Sequence, residues 1–179
     1  MRCFIAIDIP EDVRAALADL QKELAGRVDI HKGDVKWTEP EGMHLTLKFL
    51  GEVPEAVIPR IADAVREIAA DWGPFRIGVG GIGAFPSLRR PRVVWAGVHL
   101  GSAALIELAG AVEDALIALE FPQDERPFSA HLTLGRVKSP DDAGALPSLL
   151  RAHADDRFGE MTLTELVVFR SDLSPHGAQ

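Results

Sequence analysis

The sequence predicts an α+β fold built from two related lobes that face each other across a central cleft. The stretch His-Leu-Thr-Leu occurs twice, at 44–47 and 131–134, and in both copies polar and apolar residues alternate as in a half-buried strand. An apolar strand pattern followed by a helical pattern precedes each copy, at Arg2–Asp8 and at Arg92–Val98. This repetition predicts a duplicated unit of strand, helix and His-x-Thr strand, with the two units related by a pseudo-two-fold axis.

The first half alternates between strand and helix patterns. Pro10 begins a helix whose first turn carries Glu11 and Asp12, and Gly26 ends its apolar stripe. The predicted elements are a strand at Arg2–Asp8, a helix at Pro10–Gly26, a short strand at Val35–Thr38, a strand at His44–Val53, a helix at Pro54–Ala70 and a strand at Phe75–Phe85.

The second half repeats this order. Apolar residues at helical spacing follow its first strand until Phe121-Pro122 stops them, and Pro147 marks the start of a short helix. The predicted elements are a strand at Arg92–Val98, a helix at Ser102–Glu120, a strand at His131–Val137, the short helix from Pro147 and one last strand at Met161–Phe169.

Length and composition fit a single domain, 1–179, with halves of roughly 1–90 and 91–179. A hydrophobic share of 47% supports a stable core, and the net charge of −8 argues against non-specific binding along a nucleic-acid backbone. No apolar run approaches the ~18 residues of a membrane span, and Asp8 ends the first apolar run too early for a signal peptide. We expect a cytoplasmic monomer with no membrane partner, in which Cys3 is a buried free thiol.

The paired motifs predict acid–base chemistry. Because strand side chains repeat every two residues, His44 and Thr46 share one face, about 7 Å apart. The same spacing places His131 and Thr133 together. Two imidazoles with pKa values near ~6.5 can act as a base and an acid at neutral pH, which is what phosphodiester cleavage requires. The hydroxyls can donate to phosphate oxygens, where charge builds up in the transition state.

Other patterns point to structure rather than function. Gly78-x-Gly80-x-x-Gly83 fits a dinucleotide-binding pattern, but no helix follows it, so we interpret it as a twisted or bulged strand. Neither motif has a third metal ligand nearby, so we expect neither a metal nor a cofactor. The basic loop is the best local candidate for contact with an RNA backbone, although such loops are usually solvated turns; it contains Arg89, Arg90 and Arg92. The remaining histidines are expected to be structural: His31, His99, His153 and His176.

The chain resembles the 2H phosphoesterases, and among them the bacterial and archaeal RNA 2′,3′-cyclic phosphodiesterase branch, also called 2′-5′ RNA ligase. The resemblance covers nearly the whole chain. It is carried by the two His-Leu-Thr-Leu motifs, Phe-Ile-Ala-Ile-Asp-Ile-Pro at 4–10, Gly-Ala-Phe-Pro at 83–86, Pro-Arg-Val-Val-Trp-Ala-Gly at 91–97 and Arg-Ser-Asp-Leu at 170–173. It implies two antiparallel sheets flanking the cleft with helices outside. It also implies hydrolysis of an RNA 2′,3′-cyclic phosphate to a 2′-phosphomonoester, with weak reversible 2′-5′ ligation in some members.

Carried onto this sequence, the resemblance implies that His44 and His131 are catalytic and that Thr46 and Thr133 bind phosphate. Water would attack phosphorus and the 3′ oxygen would leave, and we expect His131 to act as the base and His44 as the acid.

Three further residues are candidates for substrate binding. Arg136 matches an arginine of the second motif. In a regular strand its side chain would lie on the face opposite to His131 and Thr133, away from the cleft, so a site role requires a bulge or a strand end. Lys48 shares parity with His44 and would raise the local positive potential. Trp37 is either a base-stacking residue of the cleft or a core or rim residue.

The expected partner is therefore RNA with a 2′,3′-cyclic phosphate end, or a nucleotide. Action on small cyclic phosphates, such as a cyclic phosphate of ADP-ribose, and ligation of tRNA halves remain alternatives within the same fold. A module that binds nucleotides or RNA ends without turnover is an alternative of a different class.

Overall fold

A computed structural model describes residues 1–27, 34–171, 173–174 and 177–178 of the 179-residue chain. Within these ranges the chain forms ten strands and four α-helices, joined by turns and short 3₁₀ segments. In chain order they are β1 Arg2–Asp8, α1 Glu11–Ala25, β2 Val35–Trp37, β3 His44–Glu52, α2 Ile58–Asp71, β4 Phe75–Pro86, β5 Pro91–Leu100, α3 Ser102–Ile117, β6 His131–Val137, α4 Leu146–Ala152, β7 Arg157–Leu163, β8 Val167–Ser171, β9 Leu173–Ser174 and β10 Gly177–Ala178.

Two antiparallel sheets dominate the fold. The first has the order β3-β1-β8, and the second has the order β2-β6-β5-β4-β7. Each places a motif strand beside the first strand of its repeat, because β3 pairs with β1 and β6 pairs with β5. The strands β9 and β10 form a separate two-stranded ribbon. The predicted α+β architecture with two antiparallel sheets is confirmed.

The sheets do not follow the two halves of the sequence. The second sheet includes β2 and β4, which precede residue 91, and the first sheet is completed by β8, near the other end of the chain. Each lobe therefore needs strands from both halves.

Two predicted boundaries are wrong. The strand expected over Met161–Phe169 is two strands, β7 and β8, which belong to different sheets because the chain crosses between lobes at 164–166. A continuous apolar run does not show where such a crossing occurs. The helix expected from Pro54 begins at Ile58, after a 3₁₀ turn at Glu55–Val57.

The core is a single apolar cluster that both sheets and all four helices share. Helix α3 buries the stripe that its spacing predicts, Leu105, Leu108, Val112 and Leu116. Leucines of both motifs belong to this cluster, namely Leu45, Leu47, Leu132 and Leu134. Among the described residues, no helix is both long enough and apolar enough to cross a membrane.

Candidate active site

The first motif lies on β3, with its polar residues on one face and its leucines on the other. His44 pairs with Asp8 and Thr46 with Ala6 across the β1 ladder. Leu45 is buried, whereas His44 and Thr46 are half-buried. Directly paired residues of antiparallel strands lie on the same face, so these four side chains share one surface of the first sheet.

The second motif lies on β6 in the same arrangement. His131 pairs with Gly97 and Thr133 with Trp95, and both motif residues are half-buried. The ring of Phe85 meets that of His131 edge to face, with centroids 5.1 Å apart. The strands β3 and β6 approach each other to within 8 Å between Cα atoms, so the two strands that carry the motifs are neighbours in space.

Both imidazoles are anchored in the same way. His131 Nδ1 lies 2.7 Å from the carbonyl oxygen of Ser129. A carbonyl only accepts, so Nδ1 is the donor and Nε2 is left for other partners. The ring of His44 likewise donates to the carbonyl of Gly42, which is also two residues upstream. Such a bond fixes the orientation of the ring and leaves one nitrogen for proton transfer.

The two histidines differ in their electrostatic surroundings. Burial lowers the pKa of His44, because it disfavours the charged ring, and the Asp8 carboxylate opposes this shift. Asp8 Oδ1 lies 3.9 Å from His44 Nε2 and is held in place by Arg14 Nη2 at 2.7 Å. Arg14 also donates to the carbonyls of Ile9 and Pro40. His131 has Gly97 where His44 has a carboxylate.

A cavity of about 570 Å³ adjoins His44. Its walls include Asp8, Glu11, Arg14, Glu41, His44 and Phe169. Three carboxylates and one guanidinium give this side of His44 an acidic character.

A β-bulge interrupts each motif at its second leucine. In β3 the extra residue is Leu47, because Thr46 lies opposite Ala6 and Lys48 lies opposite Ile5. Ile5 and Ala6 are consecutive and point to opposite faces of β1, so Lys48 and Thr46 also lie on opposite faces. The predicted shared face of Lys48 and His44 is therefore wrong.

Lys48 instead joins the core side of β3 to α3 and to the segment that leads into β6. Its side chain is only 3% exposed, and its Nζ lies 2.8 Å from Glu113 Oε2 and 2.9 Å from Asp124 Oδ1. It also donates to the carbonyl of Pro122 at 2.9 Å. The positive charge is neutralised at this position and does not reach the surface that carries His44.

In β6 the equivalent bulge brings Arg136 onto the face that carries Thr133. Leu134 is the extra residue, and beyond it Arg136 lies opposite Val93. Val93 shares a face of β5 with Trp95, the partner of Thr133. Arg136 is exposed on the same face as Thr133, so the bulge that its site role required is present.

Trp37 lies on the core side of the second sheet. It pairs with Gly135, which also lies opposite the buried Val94. A Cβ at Gly135 would lie 2.9 Å from the Trp37 ring, so the indole packs directly over this glycine. Trp37 is half-buried and packs against the apolar core, and its predicted role in base stacking stays a prediction.

The remaining sequence candidates are structural where the structure describes them. The glycine run lies inside β4, and the ring of His99 packs over Gly78 and Gly80. His153 contacts Asp156 and Glu23.

His31 and His176 lie outside the described residues. In the basic loop, Arg90 pairs with Asp141 on the surface. Among the described residues, no group of three or more histidine, cysteine, aspartate or glutamate side chains is arranged to hold a metal ion.

Sequence reasoning missed Asp8, Arg14 and Phe169. Phe169 comes from β8, and its ring centroid lies 4.1 Å from that of His44. Asp8 ends an apolar strand, and that abrupt polar residue was the one available signal for it. Nothing local identifies Phe169, because its place beside His44 depends on the pairing of β8 with β1.

Known proteins resemble this chain over nearly its whole length. A family profile described as LigT-like phosphoesterase matches residues 7–95 and 100–178. A protein of Archaeoglobus fulgidus named RNA 2′,3′-cyclic phosphodiesterase is 39% identical over 177 residues, which cover 99% of this chain and 94% of the relative. A protein of the same name from Methanothermobacter thermautotrophicus is 34% identical, covering 99% of this chain and 93% of the relative.

Solved structures show the same fold. The crystal structure of TT0787 of Thermus thermophilus matches with a TM-score of 0.81 and 32% identity, covering 100% of this chain and 93% of that one. The crystal structure of Escherichia coli LigT complexed with 3′-AMP matches with a TM-score of 0.70 and 25% identity, covering 99% and 92%.

Proposed function

Because the chain belongs to the LigT-like phosphoesterase family of 2H phosphoesterases, we propose that it hydrolyses the 2′,3′-cyclic phosphate at RNA ends to a 2′-phosphomonoester. The observation that supports this most is the pair of histidines on neighbouring strands, each tied to the carbonyl two residues upstream. Relatives named RNA 2′,3′-cyclic phosphodiesterase support the choice of substrate.

In the proposed mechanism the two imidazoles move protons in opposite directions. Neutral His131 takes a proton from water through Nε2 as the water oxygen bonds to phosphorus. Protonated His44 gives the proton on Nε2 to the 3′ oxygen as the bond from phosphorus to that oxygen breaks. Each transfer typically contributes about 10² to 10⁴-fold in rate. After the reaction His131 releases its proton to solvent and His44 takes up a proton from solvent, which restores the starting protonation states.

Asp8 supports the assignment of His44 as the acid. Its carboxylate, 3.9 Å from Nε2, favours the protonated ring and partly offsets burial, which lowers the pKa of His44. The negative phosphate of a bound substrate acts in the same direction. His131 lies opposite a glycine and has no such carboxylate in its strand pair, which suits a base.

Charge on the phosphate would be stabilised by hydroxyl and guanidinium groups. Thr46 and Thr133, each on the same face as its motif histidine, would donate to the two non-bridging oxygens, and Arg136, on the face of Thr133, would supply a positive charge near them. These groups complete the proposed reaction without a metal. The same site would also allow weak 2′-5′ ligation, in which the 5′ hydroxyl of a second RNA replaces water as the nucleophile.

A direct test measures turnover of an oligonucleotide with a 2′,3′-cyclic phosphate end in the presence of EDTA. We expect the parent protein to turn over, and we expect His44→Ala and His131→Ala each to lose at least about 100-fold in kcat. His153→Gln is the matched control, because that ring belongs to neither motif and contacts Asp156 and Glu23. Near-normal kcat in either motif variant would refute the acid–base pair, and loss of turnover in EDTA would refute metal independence.

Two other outcomes would favour the alternatives. Binding of a 2′-phosphate end with no turnover over hours would identify a binding module. Faster turnover of a small cyclic phosphate than of an oligonucleotide would identify a different substrate class.

A further inference from the structure

Three phenylalanine rings continue the row that begins at His44. Phe4 of β1 pairs directly with Phe49 of β3 on one side and with Phe169 of β8 on the other. Paired residues share a face, and Phe4 alternates with Ala6, the partner of Thr46. All three rings therefore lie on the face that carries the first motif. We call Phe169, Phe4 and Phe49 the phenylalanine row.

Distances between the rings make this row continuous. The centroid of Phe169 lies 4.1 Å from that of His44 and 5.1 Å from that of Phe4, with Phe169 and Phe4 stacked at an interplanar angle of 11°. Phe49 follows Phe4 at 6.0 Å. The row runs across the three strands of the first sheet, from Phe169 on β8 through Phe4 on β1 to Phe49 on β3. Phe169 and Phe4 both lie beside the proposed catalytic imidazole.

Phe49 is 71% exposed, more than any other large hydrophobic residue in the described part of the chain. Single exposed hydrophobic residues are common and need no special explanation. Phe49 differs because it contacts a row of rings that ends at the site. The bulge at Leu47 turns Phe49 toward this face, and the equivalent bulge in β6 turns Arg136 toward the corresponding face of the other lobe.

The net charge of the chain makes base stacking the suitable way to hold a single strand of RNA. With a charge of −8, the protein gains little from general attraction to phosphates. Aromatic rings bind bases through their faces, largely independently of sequence and charge. The ring of Phe4 links Phe49 to His44, with its centroid 6.0 Å from that of Phe49 and 5.7 Å from that of His44. A base stacked on Phe49 is therefore one ring farther from a phosphate at His44 than a base stacked on Phe4.

We propose that the phenylalanine row binds nucleobases upstream of the cyclic phosphate, so that the protein favours oligonucleotides over mononucleotides. This inference rests on the proposed function for the position of the phosphate. Phe169 and Phe4 contact the nucleotides nearest the reacting end, and Phe49 contacts a base that only a longer substrate provides.

The test compares two substrates, a tetranucleotide with a 2′,3′-cyclic phosphate end and 2′,3′-cyclic AMP. We expect Phe49→Ala to lower kcat/KM for the tetranucleotide by about 5- to 150-fold, mainly through KM, the range expected for loss of one stacked base. We expect less than a twofold change for cyclic AMP. Phe49→Trp should retain the preference for the tetranucleotide. Ile106→Ala, a residue on α3 that is 52% exposed, is the matched control and should change neither substrate.

Equal losses on both substrates, or no loss on either, would overturn the phenylalanine row as a base-binding surface. A parent protein that forms a dimer which Phe49→Ala dissociates would also overturn it, because a second copy would then cover these rings.

Equilibrium binding separates this proposal from the proposed function. A fluorescent tetranucleotide with a 2′-phosphate end, the expected product, is titrated with the parent and with Phe49→Ala. Weaker binding to the variant supports the row even if no substrate is hydrolysed. Equal binding to both refutes it, whatever the activity.

Discussion

Replacing Lys48 by methionine should destabilise the protein by about 2–3 kcal/mol. Lys48 is 3% exposed, and its ammonium holds Glu113 and Asp124 at hydrogen-bond distance. Removing one partner of a buried ion pair typically costs about 3–5 kcal/mol, because the charge left behind stays buried without its counter-ion. The side chain of Asp124 is 55% exposed and regains water, which reduces that cost. Glu113, at 18% exposed, regains less.

The free energy of unfolding is measured by urea denaturation at pH 7, and the thermal midpoint should fall by about 4–12 °C for a chain of this size. Arg66→Met is the matched control. It removes an exposed i,i+3 pair with Asp63 and should change stability by less than about 0.5 kcal/mol. Replacing both Lys48 and Glu113 by methionine should cost less than the sum of the two single losses, because no carboxylate is then left buried at Glu113.

The pH dependence gives a second check. Burial opposes the charged form of Lys48, but hydrogen bonds and attraction from Glu113 and Asp124 outweigh it and raise the pKa of the ammonium. A raised pKa means that this contribution to stability is fully present below the ordinary value of about 10.4 and is lost as pH rises through the folded-state value. The difference in free energy of unfolding between the parent protein and Lys48→Met should therefore be constant from about pH 7 to 9. A difference below about 0.5 kcal/mol at pH 7 would refute this reasoning.

Three other perturbations test the site and its support. Burial lowers the pKa of His44, so its NMR titration midpoint should lie below about 6.5. The fold should therefore lose stability as pH falls through that range. Asp8→Asn should lower the midpoint further, and an upward move would contradict the role of the carboxylate. Gly83→Ala drives a Cβ into the Trp95 indole ring and should cost about 1–3 kcal/mol in urea denaturation, whereas Gly110→Ala in open space on a helix should not destabilise. Arg136→Gln should raise KM for a cyclic phosphate roughly tenfold, and Arg136→Lys should raise it less; equal KM values in all three proteins would exclude a phosphate contact.

The two-residue alternation of strand side chains correctly predicted which residues share a face in the part of each motif that precedes its bulge. His44 and Thr46 share a face, as do His131 and Thr133, because both pairs lie in regular strand. The helices were also predictable, because apolar stripes at helical spacing need no knowledge of the tertiary fold. Only their ends shifted, by a few residues.

The alternation rule assigned side chains to the wrong face beyond the second leucine of each motif. One cause explains both errors. Lys48 was expected on the His44 face and lies on the other, and Arg136 was expected away from the face of Thr133 and shares it. One inserted residue reverses the side-chain alternation of everything after it. Gly135 gave a weak signal of a bulge in β6, since glycine often marks one, but Leu47 gave none in β3.

Strand pairing between distant parts of the chain was the other unpredictable feature. Phe169 adjoins His44 only because β8 returns to the first sheet, and a single sequence carries no record of that pairing. The same return explains why the apolar run over 161–169 divides between two sheets.

The return of β8 also sets an order of events for a nascent polypeptide. While the ribosome is still translating the second half of the chain, β1 has only β3 beside it, and a two-stranded sheet is marginally stable in water. The open side of β1 is then an edge that another chain can occupy. Phe169 reaches His44 only after residues 167–171 emerge, so the cleft wall around the first imidazole is assembled at a late stage of synthesis.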